Sequence, residues 1–201
     1  FDVTDETNGS GINLSTVALK LAGTTYKDGS TGMTKTAITN GYRFTYTPQA
    51  ALADGVKAIE ITASDYDGNA AAKVSASYTV DTVPPTLTLS SPQTGLITNQ
   101  KSCVVNGVTN DALSSPVTVT ITHGSNSYKP SIGSNGAFSQ ALTLTEGTNT
   151  ITVVAKDAAG KTTTITLTVK LDTSVPTIKS AVFAPNPVNA SASVQITLEV
   201  E

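Results

Sequence analysis

Apolar residues in this chain of 201 residues recur at every second position, between clusters of Gly, Asn, Asp, Ser and Pro. Val117, Val119 and Ile121 form one such run, Ile151, Val153 and Ala155 another, and Ile165, Leu167, Val169 and Leu171 a third. A period of two sends alternate side chains to opposite faces, so each run predicts a strand buried on one face. No stretch sustains the 3.6-residue period of an amphipathic helix. The best helical candidate, Pro48–Gly55, is one or two turns. The pattern predicts an all-β chain.

The runs also repeat. "ADGVKAIEITASDYDGNA" (Ala53–Ala70) returns about ninety residues later as "TEGTNTITVVAKDAAGKT" (Thr145–Thr162), and "YTVDTVPPT" (Tyr78–Thr86) returns as "VKLDTSVPT" (Val169–Thr177). The complete copy contains seven runs: Thr86–Leu89, Ser102–Val108, Val117–Thr122, Ser127–Ser131, Ala137–Leu144, Asn149–Lys156 and Thr162–Leu171. Seven short alternating strands with turn residues between them describe an immunoglobulin-like β-sandwich, strands A to G. The expected organisation is a tandem of such sandwiches: residues 1–83, residues 84–173, and the first two strands of a third in residues 174–201. In this frame Phe1–Thr4 is strand B and Val17–Leu21 strand C of the first sandwich, which lacks a strand A. An open sandwich edge can take up a strand from elsewhere, so self-association through open edges is one expectation. The chain opens and closes inside strand-like runs and reads as a segment of a longer protein.

The repeated phrase with its prolines is a linker. Proline fixes φ and removes a ladder donor, ending one strand and restricting the entry to the next. Linkers this short and Pro-containing make a stiff rod of domains.

The stretch "NGAFSQALTLTEGTNTITVVAKDAAGKTTTITLTVKLDTSVPTI" resembles the bacterial immunoglobulin-like repeats of surface proteins and carbohydrate-active enzymes, and is similar to the glucodextranase B-type module. The shared marks are a turn with Asn-Gly and Phe, the "EG" with "NTI" after it, the "DAAG" turn, and a last strand closing on Asp and Pro. The resemblance implies the sandwich fold. It implies spacers, adhesin stalks and enzyme accessories alike, because one fold hosts many functions.

Charged residues are 13% of the chain and the net charge is −3, with no basic cluster, which argues against a nucleic-acid partner. No apolar run approaches the ~18 residues of a membrane span. Cys103 is the single cysteine, so no intrachain disulfide forms, and a small apolar strand residue is its expected role. His123, the one histidine, stands beside a Gly-Ser-Asn turn and reads as a surface residue. With no G-x-S-x-G and no His/Cys cluster, the chain reads as no enzyme and no transition-metal protein.

Calcium is the sharper candidate. "DYDGN" (Asp65–Asn69) opens like an EF-hand loop, but Ala70 and Ala76 stand where that loop needs Gly and Glu. An Asp-Gly hairpin turn explains the same residues. Topology adds more. The B–C and F–G loops of a sandwich lie at the end where the preceding strand G arrives, which gathers Asp81, Asp111 and Asp157 from three segments. Asp5, Asp65, Asp67 and Asn69 form the matching set on the first sandwich, and Asp172 serves the next junction. Hard cations need six to eight oxygens, and such a site would fix the interdomain angle, as in cadherin-like rods. Lys161, where the resembled family has Asn, places a positive charge at the second set and shifts the weight to the first.

Tyr42, Phe44 and Tyr46 share one strand face and read as core; Tyr66, at a turn tip, reads as exposed. Asn8, Asn13 and Asn189 begin Asn-x-Ser sequons. The function expected is a spacer repeat of a large bacterial cell-surface or secreted protein, presenting an adhesive or enzymatic head. An alternative is an accessory carbohydrate-binding module beside a polysaccharide-processing enzyme. Partners would then be neighbouring domains of the same chain and a polysaccharide or host-surface ligand. A binder should expose several coplanar aromatic rings, whereas a spacer should bury them. A phage- or pilus-like assembly component would associate with rising concentration.

Overall fold

The computed structural model describes residues 1–184 and 195–200. Every regular element among them is a β-strand, and Pro48–Gly55 is a loop leading into a strand. By internal contacts the chain divides into two compact units. One comprises Phe1–Leu87, Thr109–Val119 and Ala155–Thr163; the other comprises Thr88–Val108, Thr120–Val154 and Thr164–Glu201.

The first sandwich is built from β1 (Asp2–Thr4), β2 (Ala18–Leu21), β3 (Thr24–Lys27), β4 (Met33–Ile38), β5 (Gly41–Tyr46), β6 (Gly55–Thr62) and β7 (Val74–Val80). They form two sheets, β1-β5-β4 and β3-β2-β6-β7, with antiparallel registers such as Leu19 opposite Ile61. Ile12, Val17, Phe44 and Ala63 make the buried centre, with Phe1, Val3, Leu14, Met33 and Tyr42 packed around it. Phe1 stacks on Phe44 with ring centroids 5.3 Å apart. The Tyr42–Phe44–Tyr46 face is therefore core, as alternation predicts: Phe44 is buried and the two tyrosines are half-buried.

The second set is β8 (Thr86–Ser91), β9 (Leu96–Thr98), β10 (Ser102–Asn110), β11 (Thr118–His123), β12 (Asn126–Tyr128), β13 (Ala137–Thr143), β14 (Gly147–Lys156) and β15 (Thr162–Leu171). Its sheets are β13-β10-β8 and β12-β11-β14-β15-β9. Seven strands are expected here and eight are present. The extra one, β9, pairs parallel to β15 with Leu96 opposite Val169. Three residues after a glycine are too few for alternation to reveal, so only the pairing identifies it as a strand. The chain thus lays β8 on one sheet and β9 on the other. Val105, Val119, Ile121, Ile151, Val153 and Val169 fill the interior.

His123 corrects the sequence reading. It is buried at the end of β11, its Nε2 2.9 Å from Asn149 Oδ1, because strand alternation turns it inward. Asn149 Oδ1 also accepts the Thr145 N–H at 2.9 Å, while its Nδ2 donates to the Thr145 and Gly147 carbonyls at 2.7 and 3.0 Å. Cys103 is buried and free.

The last pair, β16 (Ile178–Ala184) and β17 (Gln195–Val200), forms an antiparallel two-stranded sheet. Asn189 lies outside the described residues.

Candidate metal centre

The linker after β7 is held by its own side chains. Asp54, in the loop before β6, accepts the Thr82 N–H at Oδ1 and the Thr82 hydroxyl at Oδ2, both at 3.0 Å. The arrangement recurs one repeat later. Glu146, before β14, accepts the Thr173 N–H at 3.2 Å and the Thr173 hydroxyl at 2.8 Å. In both copies the Asp before the threonine accepts the N–H two residues on: Val83 to Asp81 at 3.0 Å and Ser174 to Asp172 at 3.3 Å. The repeated phrase therefore encodes a clasped turn as well as a proline stop. The signal for the clasp lies in the repeat itself, where Asp54-Gly55 aligns with Glu146-Gly147.

Asp81 projects from this clasped linker and is buried at 8% exposure. Its Oδ2 accepts the Ser114 hydroxyl in a short hydrogen bond. Ser114 belongs to the β10–β11 turn, where Asp111 Oδ1 accepts the N–H groups of Leu113 and Ser114, each at 2.8 Å. Those two N–H groups, Ser114 first, hold the Asp111 carboxyl below its ordinary range. The β14–β15 turn supplies Asp157, whose Oδ1 accepts the Lys161 N–H at 2.8 Å. That turn closes through Gly160 at φ +89°, a conformation glycine adopts without a Cβ penalty. The Ala158 N–H then donates to the Ser114 carbonyl at 3.0 Å, tying the two turns together.

The outcome is one carboxylate oxygen each from Asp81, Asp111 and Asp157 within 4.8 Å of one another. Among the described residues no other group of three acidic, His or Cys ligands meets that spacing. Asp157 is 5% exposed, and its Oδ2 is buried with no hydrogen-bond partner. Buried polar atoms are nearly always satisfied, and an unsatisfied carboxylate oxygen is among the costliest exceptions. Two full charges about 5 Å apart repel by roughly 3 kcal/mol at an effective dielectric near 20. The donor set is all hard oxygen, which suits Ca²⁺ or Mg²⁺ and not Zn²⁺. Lys161 is exposed, and its bond to the cluster is a backbone N–H.

The first set is arranged differently. Asp5 accepts the Glu6 and Gly11 N–H groups at 2.9 and 2.7 Å. Asp65 takes both the backbone N–H and the side-chain amide of Asn69 at 2.7 Å. Asp5, Glu6, Asp65 and Asn69 line one open cleft, but the carboxylate oxygens of Asp5 and Asp65 already serve as turn acceptors. Asp67 is exposed, with its N–H on Ser10 Oγ at 3.3 Å. Asp172 accepts from Ser174 and from Lys170 Nζ at 3.3 Å. Ser114, the hydroxyl beside Asp81, carries no sequence signal; only the fold brings it there.

Residues 85–173 match the family model described as glucodextranase, domain B. No curated protein matches the chain. Among solved structures, the fibronectin(III)-like modules of Clostridium thermocellum CbhA align at 13% identity and a TM-score of 0.40, over 85% of this chain and 83% of theirs. A tetra-tandem repeat from the extending region of a large adhesion protein aligns at 21% identity and a TM-score of 0.38, over 93% of this chain and 55% of its own. The Bacteroides ovatus SGBP-B from a mixed-linkage glucan utilization locus, solved with a mixed-linkage heptasaccharide, aligns at 17% identity and a TM-score of 0.25, over 87% and 44%. The chain thus spans about half the length of the latter two.

Proposed function

From the match of residues 85–173 to the glucodextranase domain B model, we propose that the chain is a non-catalytic spacer segment of a larger extracellular or cell-surface protein, with calcium clamping the linker between its sandwiches. Its parts would be two sandwiches, residues 1–83 and 84–173, and the first two strands of a third in residues 174–201. Asp81 supplies the linker's ligand, and Asp111 and Asp157 supply those of the two turns. A cation bound by all three fastens the linker to both turns. The observation that carries the reading is the buried, unpartnered Oδ2 of Asp157, a residue whose carboxylate lies within 4.8 Å of two others.

The carbohydrate-binding alternative has less support. Tyr66 is the one strongly exposed ring among the described residues, while Phe44 and Phe138 are buried and most other rings half-buried. A single ring is a poor platform for a polysaccharide, whereas buried rings suit a spacer.

Thermal unfolding of the chain in calcium, magnesium and EDTA tests the clamp. Binding to the folded state stabilises by mass action, about 2.7 kcal/mol at a hundred times Kd. Calcium should raise the melting temperature. Asp157→Asn should abolish that rise and also raise the melting temperature in EDTA, because it relieves the carboxylate repulsion and keeps the Oδ1 acceptor. A melting temperature indifferent to millimolar calcium in the native chain would sink the clamp.

A further inference from the structure

The three clustered aspartates divide the work between their two oxygens in the same way. Asp81 Oδ1 accepts the Val83 N–H at 3.0 Å, and Asp157 Oδ1 the Lys161 N–H at 2.8 Å. Asp111 Oδ1 accepts two N–H groups, those of Leu113 and Ser114. Each Oδ1 is thus committed to its own turn or linker, which fixes the carboxylate and leaves the second oxygen for other use. At Asp157 that second oxygen is buried without a partner. At Asp81 it accepts the Ser114 hydroxyl in a short hydrogen bond.

Ser114 is the one residue that touches all three segments. Its N–H goes to Asp111, its hydroxyl to Asp81, and its carbonyl accepts the N–H of Ala158, next to Asp157, at 3.0 Å. The residue is 8% exposed. After the Ser114 and Leu113 N–H groups, the same hydroxyl also helps to hold the Asp111 carboxyl below its ordinary range, so it reaches two of the three acids. A hydroxyl donates one hydrogen and keeps two lone pairs. Calcium gathers oxygens at 2.3–2.6 Å, which sets neighbouring ligand oxygens roughly 3 Å apart. That is also the spacing of a hydrogen-bonded pair of oxygens.

We infer, taking the calcium clamp as given, that the Ser114 hydroxyl oxygen is a fourth ligand of the cation, beside Asp81, Asp111 and Asp157. A hard cation wants six to eight oxygens, and a hydroxyl adds one without adding to the repulsion among three carboxylates. The repeat supports a role for this side chain apart from the strand pattern. Leu14, four residues before β2, stands where Ser114 stands, four residues before β11. Leucine offers no ligand atom, and in that sandwich Asp5 and Asp65 spend their oxygens on turns. The serine accompanies the acid cluster, not the strand.

Calorimetric titration of Ca²⁺ and of Cd²⁺ into the full chain tests this, with Ser114→Ala and Ser114→Cys beside the native protein. Both replacements keep the backbone bonds of residue 114, and circular dichroism checks that both fold. Ser114→Ala should bind calcium at least about tenfold more weakly than the native chain. Ser114→Cys exchanges a hard oxygen for sulfur, so it should lose calcium affinity and bind the soft cation Cd²⁺ at least about tenfold more tightly than the native chain does. Cys103 is buried and common to all three proteins, so it does not account for that gain. A native chain that binds calcium no better than Ser114→Ala would overturn the fourth ligand and leave the clamp standing. So would a calcium loss in Ser114→Ala with no cadmium gain in Ser114→Cys, because the hydroxyl would then act only through Asp81. A native chain that binds no calcium removes the clamp and the fourth ligand together.

Discussion

At the residue scale, Asn149 shows how much one buried amide can organise. It spends its oxygen on Thr145 and His123 and its nitrogen on two carbonyls, tying the turn before β14 to the buried His123. Asn149→Ala strands several of them at once and should destabilise the chain by roughly 2–4 kcal/mol in urea unfolding. The surface carboxylates act more gently and together. Arg43 holds the Asp2 carboxyl below its ordinary range, Lys73 does so for Glu60, Asn69 for Asp65 and Ser174 for Asp172. A depressed folded value means that the stabilisation is present above the unfolded carboxylate range, about 4, and is lost as pH falls through the folded values. The melting temperature should stay level towards that range and decline below it. A profile that falls already between pH 7 and 5 would contradict the assignment to these groups.

Among the elements, equivalent strands carry unequal weight because their cover differs. Ile151→Ala empties a fully buried site on β14 and should cost about 2–5 kcal/mol. Ile59→Ala on β6 removes a half-buried side chain and should cost nearer 1–2 kcal/mol, when both are measured in dilute solution. Amides of β7, whose residues are exposed along nearly its whole length, should exchange with solvent faster than those of β15. The linker clasps are elements of the same repeat. Asp54→Ala removes both bonds to Thr82 and should raise fast backbone motion at Thr82 and Val83, read from NMR order parameters.

For the whole molecule, one acid cluster gathers three separate segments of the chain. Asp81, Asp111 and Asp157 bring the linker and two turns within 4.8 Å of one another, so a cation bound there, as proposed, would convert solution calcium into linker stiffness.

Alternation and turn residues by themselves determined the fold class, the repeat and nearly every strand, because burial on one face imposes a period of two that needs no knowledge of the partner. They also identified Asp81, Asp111 and Asp157 as neighbours, since the order of strands in a sandwich fixes which loops share an end. Tertiary structure decided the rest. Whether an aspartate oxygen is spent on a turn, as at Asp65 with Asn69, or left buried without a partner, as at Asp157, depends on donors brought in from other segments. The inward turn of His123 and the hydroxyl of Ser114 beside Asp81 are likewise matters of packing. Strand β9 is too short for any periodicity, and only its parallel pairing with β15 makes it a strand. The similar β6 and β14 sequences differ in burial, Ile59 half-buried and Ile151 fully buried, a difference written in neither strand but in what lies against it.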